Sequence, residues 1–133
     1  MAHTKQLVTT QNGPKAIGPY SVGVTAGPFV FTAGQIGIQP DTGALVDGGI
    51  EAETNQVLMN IQDILQAAGS DISLVVKTTV FMTNLDDFSK MNETYGKVFN
   101  QNPPARSIAE VKSLPRGAAI EIEAIALIGG SCC

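Results

Sequence analysis

The chain has 133 residues, 44% of them hydrophobic and 15% charged, which is enough for one globular domain spanning 1–133 and too few for two. Eight Lys and Arg against twelve Asp and Glu give a net charge of −4, which excludes a broad basic face for gripping nucleic acid. Residues Met1 to Gln6 lack the apolar stretch of a secretory signal and no apolar run reaches the length of a membrane span, so a cytoplasmic protein is expected, with an organelle left open.

Lys5 to Thr10 reads as a first strand, and Gly13-Pro14 and Gly18-Pro19 mark turns before a second strand at Tyr20 to Val24. Phe29 to Ile36, rich in aromatic and β-branched residues, is the third strand, in a hairpin with the second across Ala26-Gly27-Pro28. Pro40 to Gly43 is a turn. From Ile50 to Ala68 the apolar residues Val57, Leu58, Ile61, Ile64, Leu65 and Ala68 repeat on one helical face, with Gly69 placed to end the helix.

Leu74 to Met82 is apolar on both parities except for Lys77 and the threonines and reads as a strand at least partly covered on both faces. Asn84, with Asp87 three residues on, opens a second helix carrying Phe88, Met91, Tyr95, Val98 and Phe99 on one side, and Pro103-Pro104 ends any continuation. The last two strands are Ala105 to Val111 and Ala118 to Ile128, joined by a turn at Leu114 to Gly117. The order is βββαβαββ, an α+β fold with both helices on one face of the sheet.

Parity along the last strand puts Ile120, Ile122, Ala124, Ala126 and Ile128 on one face and Glu121, Glu123, Ile125 and Leu127 on the other. Two helices cannot cover both sides, so the second face is expected to be buried by other copies in a closed homo-oligomer. Arg106 and the two glutamates stand within strand-like, mostly apolar segments. Such charges are costly to bury unless paired or used, so together they suggest one wall of a pocket for a small anion. Residue by residue, Arg106 equally suits a ligand or a salt bridge to Glu121 or Glu123. The only cysteines, Cys132 and Cys133, are adjacent and cannot staple the chain; with His3 they make too few ligands for a soft-metal site, and a solvated tail is expected.

Six strings in order, Ala16-Ile17-Gly18-Pro19-Tyr20-Ser21, Thr32-Ala33-Gly34-Gln35-Ile36, Val76 to Phe81, Met91-Asn92-Glu93-Thr94-Tyr95, Pro104-Ala105-Arg106-Ser107 and Leu114-Pro115 with Ile120 to Ala124, resemble the RidA/YjgF family of enamine/imine deaminases. The resemblance implies a chorismate-mutase-like homotrimer with a central barrel, helices outside and pockets between subunits. It also implies hydrolysis of 2-iminopropanoate and 2-iminobutanoate to 2-oxo acids and ammonia, with no cofactor. By that resemblance Arg106 anchors the substrate carboxylate, Glu121 positions the attacking water and Tyr20 orients substrate or water. Gly34, Asn92 and the backbone of Ile108 then belong to substrate binding, with Glu123 structural.

Two residues depart from the family pattern. Ala33 stands where many members carry serine, and Ile108 where many carry cysteine. The alternative reading is a non-catalytic trimer that binds small carboxylates in a regulatory or chaperone-like role, or a translation-inhibiting ribonuclease. The acidic balance and the lack of a histidine pair speak against the nuclease.

Overall fold

Burial alternates strictly along the strand Ile120–Leu127: Ile120, Ile122, Ala124 and Ala126 are buried, while Glu121, Glu123, Ile125 and Leu127 take the opposite face. The computed structural model describes residues 4–129, so His3, Cys132 and Cys133 and the tail expected of them lie outside the described residues. In chain order the elements are β1 (Lys5–Val8), β2 (Gly23–Ala26), β3 (Phe29–Thr32), α1 (Gly49–Ala67), β4 (Val75–Met82), α2 (Phe88–Val98), β5 (Ala105–Glu110) and β6 (Ile120–Leu127). They form one six-stranded sheet in the order β1-β2-β3-β6-β4-β5, antiparallel throughout except for the β4–β5 pair. The α2 crossover makes that parallel pair possible.

Helix α1 buries Ile50, Val57, Leu58, Ile61, Ile64 and Leu65 against the sheet, each such side chain stabilising the fold by about 1.5–3 kcal/mol. Its end is closed by Gly69 at φ +80, with the Gly69 N–H donating to Gln66 O and the Ser70 N–H to Leu65 O, the paired bonds of a Schellman termination. Helix α2 packs on the same face, burying Met91 and Tyr95, and the Tyr95 ring lies 4.7 Å from that of Phe99. The expected element order and the placement of both helices on one face are present.

Several boundaries move. The second strand starts at Gly23, after the Gly18–Tyr20 turn. The third ends at Thr32: it pairs with β6 as far as Phe31 opposite Ile125, the Ala124 N–H is taken by Thr32 Oγ1, and the next link, an isolated bridge of Gln35 to Ile122, is displaced by one residue. Leu74 belongs to a 3-10 turn capped by Asp71, and a register shift between Val75 and Lys77 turns Val76 outward. Asn84 caps a 3-10 turn at Leu85–Asp87, so the α-helix proper begins at Phe88.

The face away from the helices is a continuous cross-strand row, Leu7, Val24, Phe31, Ile125, Lys77 and Ala105. Phe29, Phe31 and Leu127 on this face remain 37%, 41% and 38% exposed.

Candidate functional site

Arg106 sits on the edge strand β5 opposite Thr78 of β4, which is buried on the helix side, so its side chain emerges beneath α2. There the guanidinium carbon lies 4.8 Å from the Tyr95 ring centroid and 5.7 Å from that of Phe88, and Nη1 donates to Asn92 Oδ1 at 2.8 Å. Phe88, Asn92 and Tyr95 are spaced i, i+4, i+7 and form one stripe of α2. The Tyr95 hydroxyl is fixed in turn by a 2.7 Å hydrogen bond with Thr78 Oγ1, and burial pushes its pKa upward against the opposing pull of Thr78 and Arg106, so the ring stays neutral. The guanidinium plane is thus set by two aromatic faces and one amide. Its remaining donors are left to a recess of about 400 Å3 bordered by Gly96, Pro103 and Pro104.

Glu121 belongs to a second cluster. In the register of the sheet it opposes Phe81, which places its carboxylate on the face away from the helices. Gly34 lies directly against it: a Cβ at Gly34 would stand 2.5 Å from Glu121 Oε2. Burial raises the Glu121 pKa, and the negative charge of Glu123, two residues along the same face, raises it further. Gly34 also lines a recess of about 560 Å3 together with Tyr20. Tyr20 is 52% exposed and its hydroxyl accepts the Ile17 N–H at 3.3 Å, which ties it to backbone.

The structure therefore divides the expected site residues into two groups. Arg106 and Asn92 are together on the helix side of the sheet edge; Glu121 and Gly34 are together on the other side, and Tyr20 borders the recess that Gly34 lines. The single pocket wall expected from Arg106 and Glu121 is not formed within one copy of the chain, since their side chains leave opposite faces of the sheet. Nor is the salt bridge the alternative for Arg106: its side chain is engaged with Asn92 and two rings. Asn92 braces the arginine.

Ile108 sits two residues beyond Arg106 and opposite the buried Val80; its side chain packs against the core on the helix side. The Val111 N–H donates to Met82 O, and N–H direction alternates along a strand, so the odd-numbered residues of β5 bond β4 while the N–H groups of Arg106 and Ile108 point off the sheet edge. The bulk of isoleucine is thus taken up by the core and its backbone donor is presented outward. Phe88, Tyr95 and Thr78 were missed as site residues; the sequence offered only an apolar helix stripe with Asn92 set between its two aromatics. Among the described residues no cluster of three or more His, Cys, Asp or Glu is arranged to hold a metal ion.

The family model described as Endoribonuclease L-PSP matches residues 10–128. The chain belongs to the RidA/YjgF family. A RutC family protein of Pyrococcus horikoshii is 51% identical over 92% of this chain and 97% of its own length. The human 2-iminobutanoate/2-iminopropanoate deaminase is 45% identical over 94% of this chain and 91% of its own. The crystal structure of Escherichia coli TdcF with bound serine superposes with a TM-score of 0.88 at 39% identity, covering 93% of this chain and 99% of that one. Among the described residues no helix is long and apolar enough to cross a membrane.

Proposed function

We propose that this chain is a hydrolytic deaminase of 2-imino acids such as 2-iminopropanoate and 2-iminobutanoate, with each site assembled from the Arg106 cluster of one copy and the Glu121 cluster of a neighbour. The observation that carries the reading is the separation of Arg106 and Glu121 onto opposite faces, Arg106 bordering one recess at the surface and Gly34, the neighbour of Glu121, lining another. The uncovered edge β5 and the apolar outer face with Phe29, Phe31 and Leu127 support a closed assembly, a trimer with the outer faces turned into a central barrel. The human relative's activity and the serine in TdcF, a small molecule bearing an α-carboxylate, support the chemistry.

In this mechanism the free Arg106 donors and the outward Ile108 N–H hold the substrate carboxylate in one plane. Glu121, as carboxylate, accepts a proton from a water as the water oxygen bonds to the C=N carbon of the iminium form, giving a carbinolamine. The proton returns to nitrogen, the C–N bond breaks, and the products are a 2-oxo acid and ammonium. A raised Glu121 pKa makes it the stronger base, and iminium carbons are already electrophilic, so orientation supplies much of the acceleration. Generating 2-iminobutanoate in situ with a pyridoxal-phosphate dehydratase and following 2-oxobutanoate release, with and without this protein, tests the reading; no acceleration rejects it.

The second reading, a carboxylate-binding trimer without turnover, draws on the intact amino acid bound to TdcF. Calorimetric binding of 2-oxobutanoate without imine turnover favours it. Salt-sensitive RNA cleavage lost with Arg106→Ala favours instead the activity after which the family model is named.

A further inference from the structure

We propose that Arg116 is a positioning residue that latches the tip of the Ile38–Leu45 hairpin and so fixes one wall of the recess holding Tyr20 and Gly34; this rests on the two-copy site described above. The hairpin is built by the Ile38–Leu45 bridge, by the Gln39 N–H donating to Ala44 O at 2.9 Å and by the Val46 N–H donating to Gly37 O at 2.8 Å. Its base is clamped from α1: Asn60 Nδ2 donates to Ile38 O at 2.9 Å and to Ile36 O at 3.3 Å, and the Gln56 amide donates to Asn60 Oδ1 at 2.9 Å. Its tip, Asp41 to Ala44, is exposed. There Arg116 Nη2 donates to Gly43 O at 3.0 Å, across 73 positions of sequence.

The backbone of Arg116 makes this contact notable. It adopts φ +62 and ψ +18, a left-handed conformation that L side chains avoid and that glycine adopts freely. Gly117 follows at φ +73, so the Pro115–Gly117 turn holds two successive left-handed residues. A non-glycine residue held in such a conformation is uncommon, and here its side chain makes the long-range bond to Gly43 O. The hairpin residues Ile38, Pro40 and Gly43 and the turn residues Pro115 and Arg116 line the same recess as Tyr20 and Gly34. The turn leads through Ala118 and Ala119 into β6, and the Ala119 N–H is itself held by the buried carboxylate of Glu53 at 2.8 Å. One latch thereby couples the recess wall to the strand that carries Glu121.

The test compares full-length Arg116→Gly and Arg116→Lys with the wild type by hydrogen exchange, 2-oxobutanoate binding and imine kinetics. In Arg116→Gly, amide exchange over Gln39 to Val46 should rise about tenfold, the scale of one lost charge-assisted hydrogen bond. The thermal midpoint should hold or rise, because glycine takes φ +62 without strain. KM and the 2-oxobutanoate Kd should rise roughly three- to tenfold with kcat retained, and Arg116→Lys should recover part of each change. Unchanged exchange overturns the proposal, as does faster exchange with unaltered Kd and KM. If the wild type binds 2-oxobutanoate but turns over no imine, the deaminase reading fails and the latch is judged on exchange and Kd. A wild type with neither property has no site for the latch to shape, and both fall.

Discussion

The Glu121 carboxylate occupies the space that a side chain at Gly34 would fill: a Cβ there would stand 2.5 Å from Oε2 and 2.8 Å from Cδ. Gly34 is therefore required by close approach, with no positive φ involved. Gly34→Ala must displace the Glu121 carboxylate. On the proposed mechanism it lowers kcat by about ten- to a hundredfold with little loss of fold stability, because the displaced atoms are the end of one flexible side chain. Steady-state kinetics with a thermal melt reads both effects, and an unaltered kcat would show that the position of Glu121 does not matter.

Removing Arg106 removes the carboxylate anchor. Arg106→Ala should lower kcat/KM by one to two orders of magnitude, the value of a charge-assisted contact of about 1.5–3 kcal/mol. Asn92→Ala, which frees Nη1 and leaves the ring faces in place, should cost only about two- to tenfold, mainly in KM. Equal losses in the two variants would place Asn92 in direct contact with substrate.

The buried Thr78–Tyr95 hydrogen bond is a stability test independent of activity. Tyr95→Phe leaves the Thr78 hydroxyl without that partner, at a cost of about 1–3 kcal/mol, and Thr78→Val leaves the tyrosine in the same position. The double variant should be less destabilised than the sum of the two singles. Urea melts of all four proteins give the coupling, and strict additivity would mean the bond contributes nothing.

What the sequence could and could not convey follows from the range of each signal. The α1 periodicity and the β6 parity are local, so Val57 to Leu65 and the Ile120 and Glu121 faces were readable directly. The early end of the third strand was not, because Phe29 to Ile36 carries strand propensity throughout and it is the one-residue shift of its pairing with β6, where Thr32 Oγ1 takes the Ala124 N–H, that interrupts the ladder. Gly34 and Glu121 are 87 positions apart, and their contact exists only once Gln35 bridges Ile122. Likewise, alternation along Ala105 to Glu110 separates Arg106 from Ser107 but does not say which of them faces the helices. That depends on the parallel register with Thr78.

The raised pKa of Glu121 fixes the sign of a pH effect. Burial is the main cause and Glu123 the second, so the folded state binds this proton more tightly than the unfolded chain, whose value is near 4.5. The associated stability is present in full below that value and is lost as pH rises through the folded pKa. Glu121→Gln should accordingly be more stable than the wild type at pH 7, with the difference shrinking toward pH 4, and the acid limb of the kcat/KM profile should disappear with it. A constant offset across pH would contradict the assignment.

The central claim is that Arg106 and Glu121 act together from different copies, because in one copy they leave opposite faces of the sheet. Arg106→Ala and Glu121→Gln proteins, each nearly inactive alone, are mixed, dissociated and reassembled, with native mass spectrometry of one tagged partner to show that subunits have exchanged. Random assembly leaves both residues intact at about a quarter of the shared sites, so recovery of about a quarter of the wild-type imine hydrolysis is expected. Mixed assemblies with no recovered activity would contradict a site shared between copies.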